Sequence, residues 1–122
     1  MDRRYIELAI LVTGQFWQAD FEWYAHEPMA RKAGVPEDVI TDVRAGRQPT
    51  LTDEADVATY ELASELHRTR VLSDTTFRAA VKIFGEQGVA ELVGLCGYYT
   101  TVSMTLNAFD VDLPEGVRSP FE

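Results

Sequence analysis

Only two of the 122 residues are histidines. One of them, His26, follows Glu22 by four positions in Glu22-Trp23-Tyr24-Ala25-His26-Glu27. Residues four apart on an α-helix stand one turn apart on the same face, so a helix here brings a carboxylate within reach of an imidazole. Histidine gives and takes protons near neutral pH, and a neighbouring carboxylate fixes its tautomer and raises its basicity. Phe21, Trp23, Tyr24 and Met29 put His26 among apolar and aromatic side chains, whereas His67 lies in the polar run Glu65-Leu66-His67-Arg68-Thr69-Arg70, which reads as a solvated helix end. The chemistry these residues suggest is general acid/base catalysis, with His26 moving the proton and Glu22 orienting the ring.

The element that must position them is a helix from about Phe16 to Ala33. The small residues Ala19 and Ala30 flank the pair one turn away on either side and leave room for a pocket. Pro28 removes a backbone donor and presses on the carbonyl of Tyr24, which predicts a kink just after His26. Ahead of this helix, Arg3 to about Gln15 reads as a first helix ending near Gly14. On it Glu7 shares an arc with Arg3, Arg4 and Gln15, which permits a plain reading as a wet surface ion pair. Beyond it, Pro36-Glu37-Asp38 opens a third helix, about Glu37 to Ala45, closed by Gly46 and followed by the loop Arg47-Gln48-Pro49-Thr50. Thr52, Asp53 and Glu54 start a fourth helix with an apolar stripe of Ala55, Ala58, Leu62 and Leu66, and with Asp56, Glu61, Ser64 and Arg68 opposite. Ser73-Asp74 caps a fifth, whose buried face holds Phe77, Ala80, Val81 and Phe84 and which stops near Gly85 or Gly88. The last, Val89 to about Ala108, is apolar on every side and therefore buried on every side, which in so small a chain implies a face against another subunit. Residues 113–122 read as an extended tail, loose or laid across a neighbour. The expectation is all-α: one domain spanning 1–122, with about six helices and no strands.

Composition narrows the functions. At 46% hydrophobic, the chain can enclose one core. A net charge of −9 with scattered basic residues provides no footprint for phosphate backbones, so nucleic acid is not an expected partner. An anionic substrate would need local help from an arginine. The single cysteine, Cys96, forms no intrachain disulfide or Cys-x-x-Cys pair and is expected to be a small buried hydrophobe. A reducing cytoplasm suits that. The apolar run Leu8–Val12 is too short to cross a bilayer and lacks signal-peptide flanks, so no membrane partner is expected.

Taken together, Glu7-Leu8-Ala9-Ile10-Leu11, Glu22-Trp23-x-x-His26, Ala30, Gly34 and an apolar closing helix with Gly97-Tyr98-Tyr99 resemble the carboxymuconolactone decarboxylase family, related to the alkylhydroperoxidase-D-like proteins. The resemblance runs from about Arg4 to Pro114. It implies an alkylhydroperoxidase-D-like helical bundle that assembles as a homo-oligomer, a trimer or a hexamer. Members generally carry further helices before the Glu-Leu-Ala-Ile-Leu segment, so the resemblance implies a short form and leaves open whether a partner supplies the missing helices. The peroxidase branch uses Glu-x(11)-Cys-x-x-Cys-x(3)-His. With Glu7 set on its glutamate, Ala19 and Glu22 fall on the two cysteines and His26 on the histidine. Disulfide-based peroxide reduction needs an attacking and a resolving thiol, and neither is there. The decarboxylase branch looks like Glu-Trp-x-x-His, as here. The resemblance thus implies that Glu7, Glu22 and His26 point into one cavity, where His26 is general acid/base, Glu22 orients it and Glu7 shuttles a proton or tunes the ring. The substrate would be a small carboxylated or lactone-like molecule.

Three other readings use the same residues. His26 has a plainer reading as a hydrogen-bonded core residue beside a surface ion pair. Glu7, Glu22, His26 and Glu27 could hold a divalent metal, yet Glu-x-x-x-His with one histidine is not the Glu-x-x-His of di-iron bundles, so no metal and no cofactor are expected. Finally, the scaffold could be a non-catalytic ligand-binding or assembly module. Tyr24, Ala19, Tyr98 and Tyr99 are candidate pocket-lining residues in the catalytic and binding cases, and Trp23 belongs to the core or an interface.

Overall fold

The helix Arg3–Phe16, α1, buries eight successive residues, Glu7 through Gly14. A helix enclosed on all sides is one that others pack around, and α1 touches each of the other four. The computed structural model describes residues 1–122, in which α1 is followed by α2 (Asp20–Ala33), α3 (Glu37–Arg44), α4 (Glu54–Thr69) and α5 (Asp74–Ala108). The chain is all-helical, as its periodicity predicts. The count is five rather than about six because helical structure resumes directly after a break at Gly85, whose φ of 73° and ψ of 171° lie in a region essentially reserved for glycine. The expected stop near Gly85 is therefore a corner within α5.

The helix starts follow from side-chain caps that satisfy otherwise orphaned amides. Asp2 accepts from the Arg4 amide at 2.9 Å, Asp53 from Ala55 and Asp56 at 2.9 and 3.0 Å, and Ser73 from Thr76 at 3.2 Å. The core joins Leu8 and Leu11 of α1 to Trp23 of α2, Ile40 of α3, Leu62 of α4 and Leu92 of α5. Each such side chain contributes about 1.5–3 kcal/mol by leaving water. Cys96 is buried in the same cluster, as expected of a small hydrophobe, and burial pushes its thiol up.

Several expectations need correcting. Gly14 does not end α1; it is buried inside it, and the chain turns afterwards at Gln18, with a φ of 51°. A Cβ on Gly14 would sit 3.4 Å from Glu22 Oε2, so the missing side chain lets α1 and α2 approach closely beside the site. Pro28 lies inside α2, as expected, and the carbonyl of Tyr24, deprived of its donor, belongs to an exposed residue where water can serve it. Asp56 is on no wet face: it is buried and takes a two-pronged contact from Arg4, through Nε at 3.0 Å and through an amino group, pinning the start of α4 to the start of α1. Phe77 is exposed rather than part of the buried face. Residues 113–122 fold back on their own chain: Ser119 Oγ donates to Asp20 at 2.7 Å, and the Phe121 ring meets the Trp23 indole edge-on at 5.5 Å. No helix is long and apolar enough to cross a membrane.

Candidate acid/base site

Glu7 and His26 meet through the packing of α1 on α2. The Glu7 side chain is 0% exposed, and its two oxygens have separate partners: Oε1 accepts from Arg3 at 2.6 Å, and Oε2 lies 2.8 Å from His26 Nδ1. A carboxylate only accepts, so Nδ1 carries the hydrogen and Nε2 is left with the lone pair. The His26 side chain keeps 14% of its surface. Tyr99 of α5 presses edge-on against the imidazole with centroids 5.2 Å apart, and Tyr98 stacks edge-on against Tyr99 at 5.1 Å. Burial, and then the charge of Glu7, raise the Tyr99 phenol above its ordinary pKa, so it stays a neutral wall.

Glu22 occupies the same region in a different role. It is buried, and Oε2 accepts from Ser103 Oγ of α5, while Oε1 has no partner at all. A bare carboxylate oxygen away from water favours the protonated form. Burial accordingly pushes Glu22 up to about 6, against the opposing pulls of the Ser103 hydroxyl and the His26 charge. The carboxylate in contact with the His26 ring is thus Glu7 rather than Glu22, and burial favours the protonated form of Glu22.

Glu27 faces a separate set of partners. Its carboxylate accepts from Trp23 Nε1 at 2.9 Å and from Arg44 and Arg31 at 2.7 and 3.2 Å, so it stands outside the His26 cluster. Of the four residues expected to line a pocket, Tyr99 touches His26 and Tyr98 extends that contact. Ala19 is fully buried at the start of α2, and Tyr24 is an exposed residue paired with Phe21 at 6.1 Å. The four principal clefts, of about 450, 360, 420 and 260 Å³, are lined by neither Glu7, Glu22 nor His26. The ring instead meets the surface beside Tyr99.

Two contributors escaped the sequence reading. Arg3 stands four positions before Glu7, a spacing taken for a loose surface pair, yet its carboxylate partner is fully enclosed. Ser103 is 81 positions from Glu22 and carried one signal only: a hydroxyl in the most apolar helix of the chain. No family model, no curated protein and no solved structure matches the chain.

Proposed function

We propose that the chain is a carboxymuconolactone decarboxylase-like enzyme, performing acid/base chemistry on a small carboxylated or lactone-like molecule at His26, with Glu7 and Glu22. The observation that supports this reading is the 2.8 Å contact between His26 Nδ1 and the enclosed Glu7, which leaves the Nε2 lone pair for proton transfer. In the decarboxylation of a carboxylated unsaturated lactone, the bond from the ring carbon to its carboxylate breaks and carbon dioxide leaves. The electron pair passes through the ring alkene into the lactone carbonyl as an extended enolate. His26, protonated at Nε2, returns one proton to carbon, and Glu22 or solvent replaces it. Arg3, 67% exposed at the outer side of Glu7, supplies the cation that an anionic substrate needs on so acidic a protein. Acid/base help of this kind is worth about two to four decades in rate.

The test is carbon dioxide release from a γ-lactone bearing a ring carboxylate. His26→Ala is expected to lose about 10²- to 10⁴-fold; unchanged turnover would overturn the catalytic reading. A second reading, a non-catalytic binding or assembly module, draws support from the position of the ring outside the principal clefts. Binding of the lactone without conversion would favour it.

The same proposal makes the chain a homo-oligomer, a trimer or hexamer. Its support is one face of α5 on which Val93, Tyr98 and Met104 are exposed and Gly94 and Gly97 have open space around them. A partner seated there would wall the His26 site from the Tyr98 side. Sedimentation velocity is expected to show an assembly that Gly94→Arg disrupts; a wild-type monomer would refute the assembly.

A further inference from the structure

A second cleft, of about 360 Å³, opens between α1, the loop after α3, and α4. Of its α1 residues, Val12 and Phe16 are turned over a third of a circle from Glu7 at 3.6 residues per turn and Gln15 less than a quarter; it is separate from the His26 site because neither Glu7, Glu22 nor His26 lines it. On a chain of net charge −9 its polar lining is unusual: Arg47, Arg68 and His67 are present and no aspartate or glutamate is. Acids adjoining the lining are already held, Asp42 by Arg47 at 3.2 Å, Glu61 by Gln48 at 3.5 Å and Glu65 by Ser73 and Thr76. Arg47 spends Nε and one amino group on that single oxygen, and Arg68 donates only to Ser64 Oγ at 3.0 Å. Both guanidinium groups keep donors free for a planar anion.

Four of the eleven lining residues are apolar: Val12, Phe16, Val43 and Tyr60. The His67 ring lies against Phe16 with centroids 5.1 Å apart, and its Nδ1 donates to the Ala63 carbonyl at 2.7 Å. Gly46, at a φ of +75°, brings the loop so close to Gln15 that an added Cβ would sit 3.2 Å from its amide nitrogen. Arg47, the next residue, lines the cleft and is exposed. Free guanidinium donors at the rim of an apolar wall fit a molecule with one charged planar end and a hydrophobic body.

We propose that this cleft is a binding site for a small organic carboxylate, with Arg47 and Arg68 taking the carboxylate and Val12, Phe16, Val43 and Tyr60 taking the apolar body. Inorganic phosphate offers charge without a body, and it binds more weakly. The experiment follows methyl and amide NMR signals of the full chain during titration with benzoate and, separately, with phosphate. Benzoate is expected to saturate, moving the Val12 and Val43 methyls and the His67 ring, and to bind at least tenfold more weakly to Arg47→Gln/Arg68→Gln. The double variant Arg31→Gln/Arg78→Gln, which removes equal charge elsewhere, is expected to bind benzoate as the wild type does. The proposal is overturned by benzoate shifts that never saturate, by phosphate binding as tightly as benzoate, or by equal weakening in both double variants. Since the cleft excludes His26, failure here leaves the acid/base reading standing, and success does not depend on it.

Discussion

The two histidines pack against two different faces of α1 and show what surroundings do to one side chain. His26 gives its Nδ1 hydrogen to a carboxylate that is itself enclosed and tied to Arg3. His67 gives the same hydrogen to a neutral carbonyl, its Nε2 is 3.5 Å from Thr100 Oγ1, and burial lowers its pKa below the ordinary histidine value. The first ring faces an enclosed carboxylate. The second is held neutral beside two arginines, where added positive charge is least welcome. Its polar sequence neighbourhood suggested a solvated helix end, yet His67 is half-buried against Phe16.

The sharpest way to break the comparison is to exchange the two residues' fates. His26→Ala should cost about two to four decades in turnover of a carboxylated lactone, whereas His67→Ala should leave the rate within about threefold, measured as carbon dioxide release. A loss of similar size in both would erase the distinction.

Glu22 provides the next effect in size, and its sign is fixed. Its pKa in the folded chain, about 6, lies above the ordinary 4.5, so between those values the folded state holds more proton than the unfolded one. Stability therefore falls as pH rises through that window, and the full penalty is present above about 6. Removing the charge with Glu22→Gln should raise stability at pH 8 by on the order of 2 kcal/mol and have little effect at pH 4. Urea unfolding at the two pH values checks this; a destabilised variant at pH 8 would contradict it. Ser103→Ala acts in the opposite sense on the same group. Loss of its hydrogen bond should move the Glu22 titration upward by about one unit, or about 1.4 kcal/mol, followed by the carboxyl carbon signal in NMR. The smallest effect belongs to the other cleft: Arg68→Gln, at an exposed position in no ion pair, should change stability by less than about 0.5 kcal/mol. A larger change in the melting transition would show Arg68 holding the fold rather than awaiting a ligand.

Much of this was legible in the sequence, for local reasons. The helices announce themselves by periodicity and by caps at Asp53 and Ser73, and the corner at Gly85 falls where glycine ends a pattern. The meeting of Glu7 with His26 was reached through the resemblance, since no spacing rule joins residues 19 apart. Four-residue spacing places Glu22 and His26 on one face but does not say which carboxylate the ring contacts, and the contact is with Glu7. Ser103, Asp56 and the arginine cleft depend on contacts between distant segments, and Arg4 with Asp56 spans 52 positions. The folded-back tail was hidden for the same reason: Phe121 finds its partner in Trp23, at the opposite end of the chain.

The measurement that bears most directly on the whole account is the tautomer of His26, read from its two ring nitrogens by long-range ¹⁵N NMR in the wild type and in Glu7→Gln. With Glu7 in place, the neutral ring should carry its hydrogen on Nδ1 and present a bare Nε2, and that preference should weaken in Glu7→Gln. A ring protonated on Nε2 in the wild type, or one indifferent to the loss of Glu7, would contradict it.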